Sequence, residues 1–150
     1  MEIKIIDKEL VERTISIINR PYTTENEHDV TLLINCTLAL IVLPIESTPN
    51  DSSAKKFRAK IVDKLVEMGV IKVNQKEKKL FRAIKNAISH MHIEFHNKDG
   101  QIDNIVFWDK IPNSKEYHTV LQFSPQQLKD FALFVAQNHL DRYAHKQQKL

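Results

Sequence analysis

The sequence predicts a mostly α-helical bundle with a small antiparallel β-sheet inserted before the last helix. Three observations carry that expectation. Apolar residues recur at helical spacing in four stretches before residue 91 and in one after residue 124. Between them, from Met91 to Phe123, the apolar period falls to two and is broken by turn residues. Finally, the 150 residues include only two glycines, Gly69 and Gly100. Neither a dinucleotide-binding fingerprint nor a Walker-type loop can be assembled from two isolated glycines.

The elements follow in order, within a single domain over residues 1–150. Asp7 is expected to cap a first helix that buries Leu10, Val11, Thr14, Ile15, Ile17 and Ile18 and stops at Arg20, before Pro21. After a polar loop, a second helix starts near Glu27 to Asp29 and ends at Pro44. It is apolar nearly all round, so it should lie centrally, with Asn35 as a buried amide that bonds a neighbouring helix or sets a dimer register. Glu46 to Ser53 reads as a loop. Ser52 or Ser53 then caps a third helix with Phe57, Ile61, Val62, Leu65, Val66 and Met68 inward and Gly69 as its stop.

A fourth helix from about Lys76 carries Leu80, Ile84, Ala87, Ile88 and Met91 on one stripe and runs almost directly into a strand. Met91 to His96 alternates, Asn97-Lys98-Asp99-Gly100 turns, and Gln101 to Asp109 returns as a second strand. His118 to Phe123 is the third. Ser124-Pro125-Gln126-Gln127 is a capping box for the last helix, which buries Leu128, Phe131, Ala132, Val135 and Leu140 and frays from Ala144 to Leu150.

Composition narrows the function classes. The formal charge of +3 is mild and interspersed, so charge alone does not make this a nucleic-acid binder. Cys36 is the only cysteine, which excludes an internal disulfide and a multi-cysteine zinc site and fits a reducing compartment. Met1-Glu2-Ile3-Lys4 does not open a signal peptide, and the apolar run around Thr37 to Leu43 is too short to span a bilayer. A cytoplasmic protein with no membrane attachment is expected.

The chemistry concentrates at the end of the fourth helix. Arg82, Lys85, Asn86 and His90 sit off its apolar stripe. Imidazole exchanges protons near neutral pH and suits acid–base work on a phosphodiester, while a nearby cation can stabilise charge that builds on the phosphate. Lys85 and His90 stand roughly 140° apart on an ideal helix. One helix therefore does not aim both at one phosphate, but two copies around a symmetry axis can. The bland reading is a C-terminal helix histidine with Asn86 as its partner.

The remaining candidates carry less. His92 and His96 share a strand face, but no third ligand follows, so they read as solvent-facing and no metal is expected. His28, His118, His139 and His145 show no spacing signal. Trp108, beside Asp109, reads as a sheet-edge packing residue rather than a base-stacking platform.

Lys85-Asn86-Ala87-Ile88-Ser89-His90, the following strand His92-Ile93-Glu94-Phe95 and the Asp99-Gly100 turn resemble the HEPN superfamily (higher eukaryotes and prokaryotes nucleotide-binding). Its signature is an Arg, usually followed by a polar residue, then a His after a spacing of four to six. The approach from Asp29 through Cys36 to Leu43-Pro44 resembles its small, stand-alone, plasmid-borne members, and the likeness covers Asp7 to Leu140. The resemblance implies an all-α bundle that dimerises through the motif helices. It also implies a composite endoribonuclease site between protomers that needs no metal or other cofactor. His90 takes the histidine position, Asn86 the polar position and Lys85 the arginine position; Arg82, about one turn earlier and outside the family spacing, is a further candidate phosphate contact. Lysine keeps the charge but lacks the planar fork of arginine.

The expected function is thus a homodimeric HEPN-like ribonuclease acting on RNA, in a toxin–antitoxin, stress or phage-defence setting with an antitoxin partner. The alternative is a non-catalytic HEPN-like dimer that binds RNA or nucleotide or acts as a scaffold.

Overall fold

The computed structural model describes residues 3–19, 35, 39, 52–72, 77–90, 92–111 and 113–148. Among these, helices α1 (Ile3–Ile18), α2 (Ser52–Met68) and α3 (Glu77–Ser89) precede strands β1 (Ile93–Lys98), β2 (Gln101–Lys110) and β3 (Tyr117–Phe123). Helix α4 (Pro125–Gln148) follows. The protein is mostly helical, and its small antiparallel sheet, in the order β1-β2-β3, lies between helices α3 and α4 in the chain. Two compact units divide the chain, Ile45–Leu128 and Met1–Pro44 with Lys129–Leu150.

In the Ile45–Leu128 unit, α2 buries Phe57, Ile61, Val62 and Leu65. It ends where expected. Gly69 adopts a φ of +70°, its N–H donates to Val66 O at 3.1 Å, and the Val70 N–H donates to Leu65 O at 3.4 Å. This pair of bonds satisfies carbonyls that the helix leaves open, and the left-handed residue between them favours glycine. Beyond it, the chain runs beside β3: Lys72 N–H donates to Val120 O and Gln122 N–H to Val70 O. Strand β1 forms the opposite side of the three-stranded sheet.

Helix α3 buries Leu80, Ala83, Ile84 and Ala87 and packs on β2 and β3. The β1–β2 connection is a two-residue turn, with Asp99 at φ 53° and Gly100 at φ 78° between paired Lys98 and Gln101. Positive φ at both central residues matches the strands' twist, which is why Asp-Gly serves here. Ile105, Phe107, Leu121 and Phe123 are fully or almost fully buried, and Phe107 meets Phe123 edge-on at 5.9 Å. A register shift between Phe107 and Trp108 inserts an extra residue in β3, where Val120 and Leu121 are buried in succession. At the start of α4, Ser124 N–H donates to Gln127 Oε1 at 2.9 Å and Gln127 N–H to Ser124 Oγ at 3.1 Å, the expected reciprocal cap.

In the other unit, α1 buries Val11, Thr14 and Ile18, and the continuation of α4 buries Phe131, Ala132, Val135, Ala136 and His139. Spacings of three and four residues account for both stripes.

Several expectations need correction. Helix α1 begins at Ile3, so Asp7 lies inside it and does not cap it. Ser52 and Ser53 are likewise already helical. Val66 is 62% exposed. It lies about 100° round the helix from Leu65, at the margin of the stripe. Asn97 and Lys98 belong to β1 rather than to the turn. Helix α4 runs to Gln148 instead of fraying from Ala144. Of the second predicted helix, only Asn35 and Ala39 are described. Both are helical, and Asn35 is exposed rather than a buried amide. Cys36 and His28 lie outside the described residues. Among the described residues, no helix is long and apolar enough to cross a membrane.

Candidate functional site

Three of the residues singled out in the sequence, Arg82, Lys85 and Asn86, lie on α3, and His90 follows one residue past its end. At 100° per residue, Lys85, Arg82, Asn86 and His90 span an arc of about 140°, whose centre lies about 140° round the helix from that of the stripe of Leu80, Ala83, Ile84 and Ala87. Arg82, Lys85 and His90 are exposed and Asn86 is half-buried. No Asp or Glu occurs between Glu77 and Glu94, so Arg82 and Lys85, with Lys78 and Lys79 before them, lie in a stretch that holds no carboxylate. An anion meets attraction here without a competing negative charge from the same segment.

His90 stands one residue beyond the last helical position. Its N–H still donates to Asn86 O at 3.0 Å, so the backbone keeps the helical path to that point. Next, His92 N–H donates to Ala87 O, also at 3.0 Å, and closes the helix end. The His92 carbonyl then accepts from Trp108 N–H at 3.0 Å, which joins the segment to the sheet. Helix, motif histidine and strand are thereby linked over three residues.

A row of rings leads away from His90. The His90 and His92 rings stack with centroids 5.6 Å apart at an interplanar angle of 29°. His92 lies on Trp108 at 4.0 Å and 1°, and Trp108 meets Tyr117 edge-on at 4.7 Å and 81°. Pairing of Ile93 with Phe107 brings His92 beside Trp108. The Trp108–Thr119 pair in turn makes Tyr117 a diagonal neighbour. An edge-on aromatic pair such as Trp108 and Tyr117 adds about 0.5–1.5 kcal/mol beyond burial.

Two sequence expectations change here. His92 precedes β1 and is half-buried against Trp108, so it is not a solvent-facing partner of His96. Trp108 is on the middle strand, not at a sheet edge, and it packs against His92 and Tyr117. His96 is exposed, with Nε2 3.4 Å from Glu94 Oε2. Among the described residues, no three His, Cys, Asp or Glu side chains converge on a metal site. Two buried ring nitrogens, His92 Nδ1 and His118 Nε2, have no hydrogen-bond partner among the described residues. The Asp99-Gly100 turn alone would set His92 opposite Phe107; the register shift between His96 and Asn97 moves it opposite Trp108, and that shift is what hid the stack from the sequence.

The model of one protein family, described as HEPN pEK499 p136, matches residues 1–146. No curated protein and no solved structure matches the chain.

Proposed function

The chain belongs to the HEPN pEK499 p136 family, and from that premise we propose that it is a metal-independent endoribonuclease acting as a homodimer. Residues 1–150 are read as one HEPN-like domain, since the family match runs through both compact units. The observation that carries the reading is the placement of Arg82, Lys85 and Asn86 on α3 with His90 one residue past its end, in a stretch without carboxylates.

In this reading two copies bring their α3 ends together around a groove for RNA. His90 of one copy accepts the proton of a ribose 2′-hydroxyl, whose oxygen attacks the adjacent phosphorus. The P–O5′ bond breaks, the 5′-oxygen takes a proton from the second imidazole, and a 2′,3′-cyclic phosphate remains. Lys85, with Arg82, stabilises the added phosphate charge. Asn86 orients His90 or the scissile group. The chemistry needs no cofactor. In the cell, such an activity fits toxin–antitoxin, stress or phage-defence systems, with a separate antitoxin protein as partner.

One specific feature favours a second reading, a HEPN-like dimer that binds RNA or nucleotide, or acts as a scaffold, without cutting. Lys85 occupies the motif's arginine position, and an ammonium grips a phosphate as a point charge rather than through two parallel bonds. Purified protein with bulk RNA in EDTA, beside His90→Ala and Lys85→Arg, separates the two. Cleavage that disappears in the first variant and rises in the second supports the enzyme. Intact RNA with both wild type and Lys85→Arg supports the binding protein.

A further inference from the structure

We propose that the His92–Trp108 pair sets the orientation of the His90 ring, which makes both of them positioning residues for the motif imidazole. This deepens the ribonuclease reading and rests on it for its functional meaning. His90 is exposed and lies past the end of α3, where the packing of helical neighbours no longer selects its rotamer. The ring it meets is His92, at 5.6 Å and 29°. His92 is itself held: its ring lies parallel on the Trp108 indole at 4.0 Å, and its backbone N–H and carbonyl are both bonded, to Ala87 and Trp108. Trp108 is in turn wedged against Tyr117 and lies on the middle strand. A rigid sheet thus supports a ring that supports the motif histidine.

What His92 contributes is the face of its ring, which lies parallel to the Trp108 indole; its buried Nδ1 has no hydrogen-bond partner among the described residues. The ring serves as a flat surface, so phenylalanine can replace it and leucine cannot.

The first readout is made on the free protein by NMR, through ring-proton contacts between His90 and residue 92. They are expected in wild type and in His92→Phe, and absent in His92→Leu, where the His90 ring averages over rotamers. The second readout is RNA turnover in EDTA. His92→Phe keeps kcat within about twofold, whereas His92→Leu loses about tenfold in kcat with little change in KM, as misorientation of an acid–base group requires. Should His92→Leu fail to fold, Trp108→Phe, which shrinks the support under His92, is expected to weaken the same ring contact and lower kcat in the same sense. The proposal is overturned if the wild-type His90 ring averages freely with no contact to His92, if His92→Leu keeps kcat, or if His92→Phe loses as much as His92→Leu. A wild type that shows the ring contact but cuts no RNA supports the positioning and removes the ribonuclease reading.

Discussion

The His92 imidazole lies flat on the Trp108 indole, with centroids 4.0 Å apart and planes within 1°. Trp108 is the only tryptophan, so tryptophan fluorescence reports on this one indole and the rings against it, His92 and Tyr117. His92→Ala uncovers one indole face to water. Its emission should therefore move to longer wavelength and gain intensity as the stacked imidazole is lost, which a native-state spectrum beside wild type checks.

Lys85→Ala removes a cation from the exposed side of α3. Binding of single-stranded RNA should weaken, and the slope of log K against log salt should fall by about 0.7 for each Lys85 lost. Titrations of catalytically silent His90→Ala protein, with and without the second substitution, measure this at several salt concentrations.

Gly69→Ala tests the end of α2. A Cβ built there meets nothing within 4 Å, so the cost comes from the +70° φ alone, about 1 kcal/mol. Gly69→Asn should lose less, because asparagine visits the left-handed region more readily. Urea unfolding midpoints compare the two.

Ser124→Ala removes the hydroxyl that accepts from Gln127 N–H and should cost about 1 kcal/mol. Ser124→Asp keeps an acceptor and should recover most of the loss, which thermal melts of the three proteins compare.

Features fixed by neighbouring residues were legible from the sequence. Ser124 and Gln127 form a cap because their bonds span three residues. Gly69 and the Asp99-Gly100 turn follow from a backbone conformation that few other residues adopt cheaply. The candidate residues could be grouped for the same reason, since Arg82, Lys85 and Asn86 lie on α3 and His90 follows one residue past its end. What stayed hidden depends on distant pairing. His92 and Trp108 meet only through the β1–β2 register, and alternation alone gave His92 a solvent-facing place on the strand. Val66 shows a different limit: an apolar residue at the edge of a stripe looks inward by type, while its angle leaves it exposed.

The most direct test of the ribonuclease account is the chemistry of the ends it leaves. A defined RNA is incubated with the protein in EDTA, beside the same RNA carrying a 2′-deoxy sugar at the cleaved position. The account predicts 2′,3′-cyclic phosphate and 5′-hydroxyl ends, no cut at the deoxy position and none with His90→Ala. Cleavage at the deoxy position, 5′-phosphate ends, or RNA left intact by the wild type would contradict it.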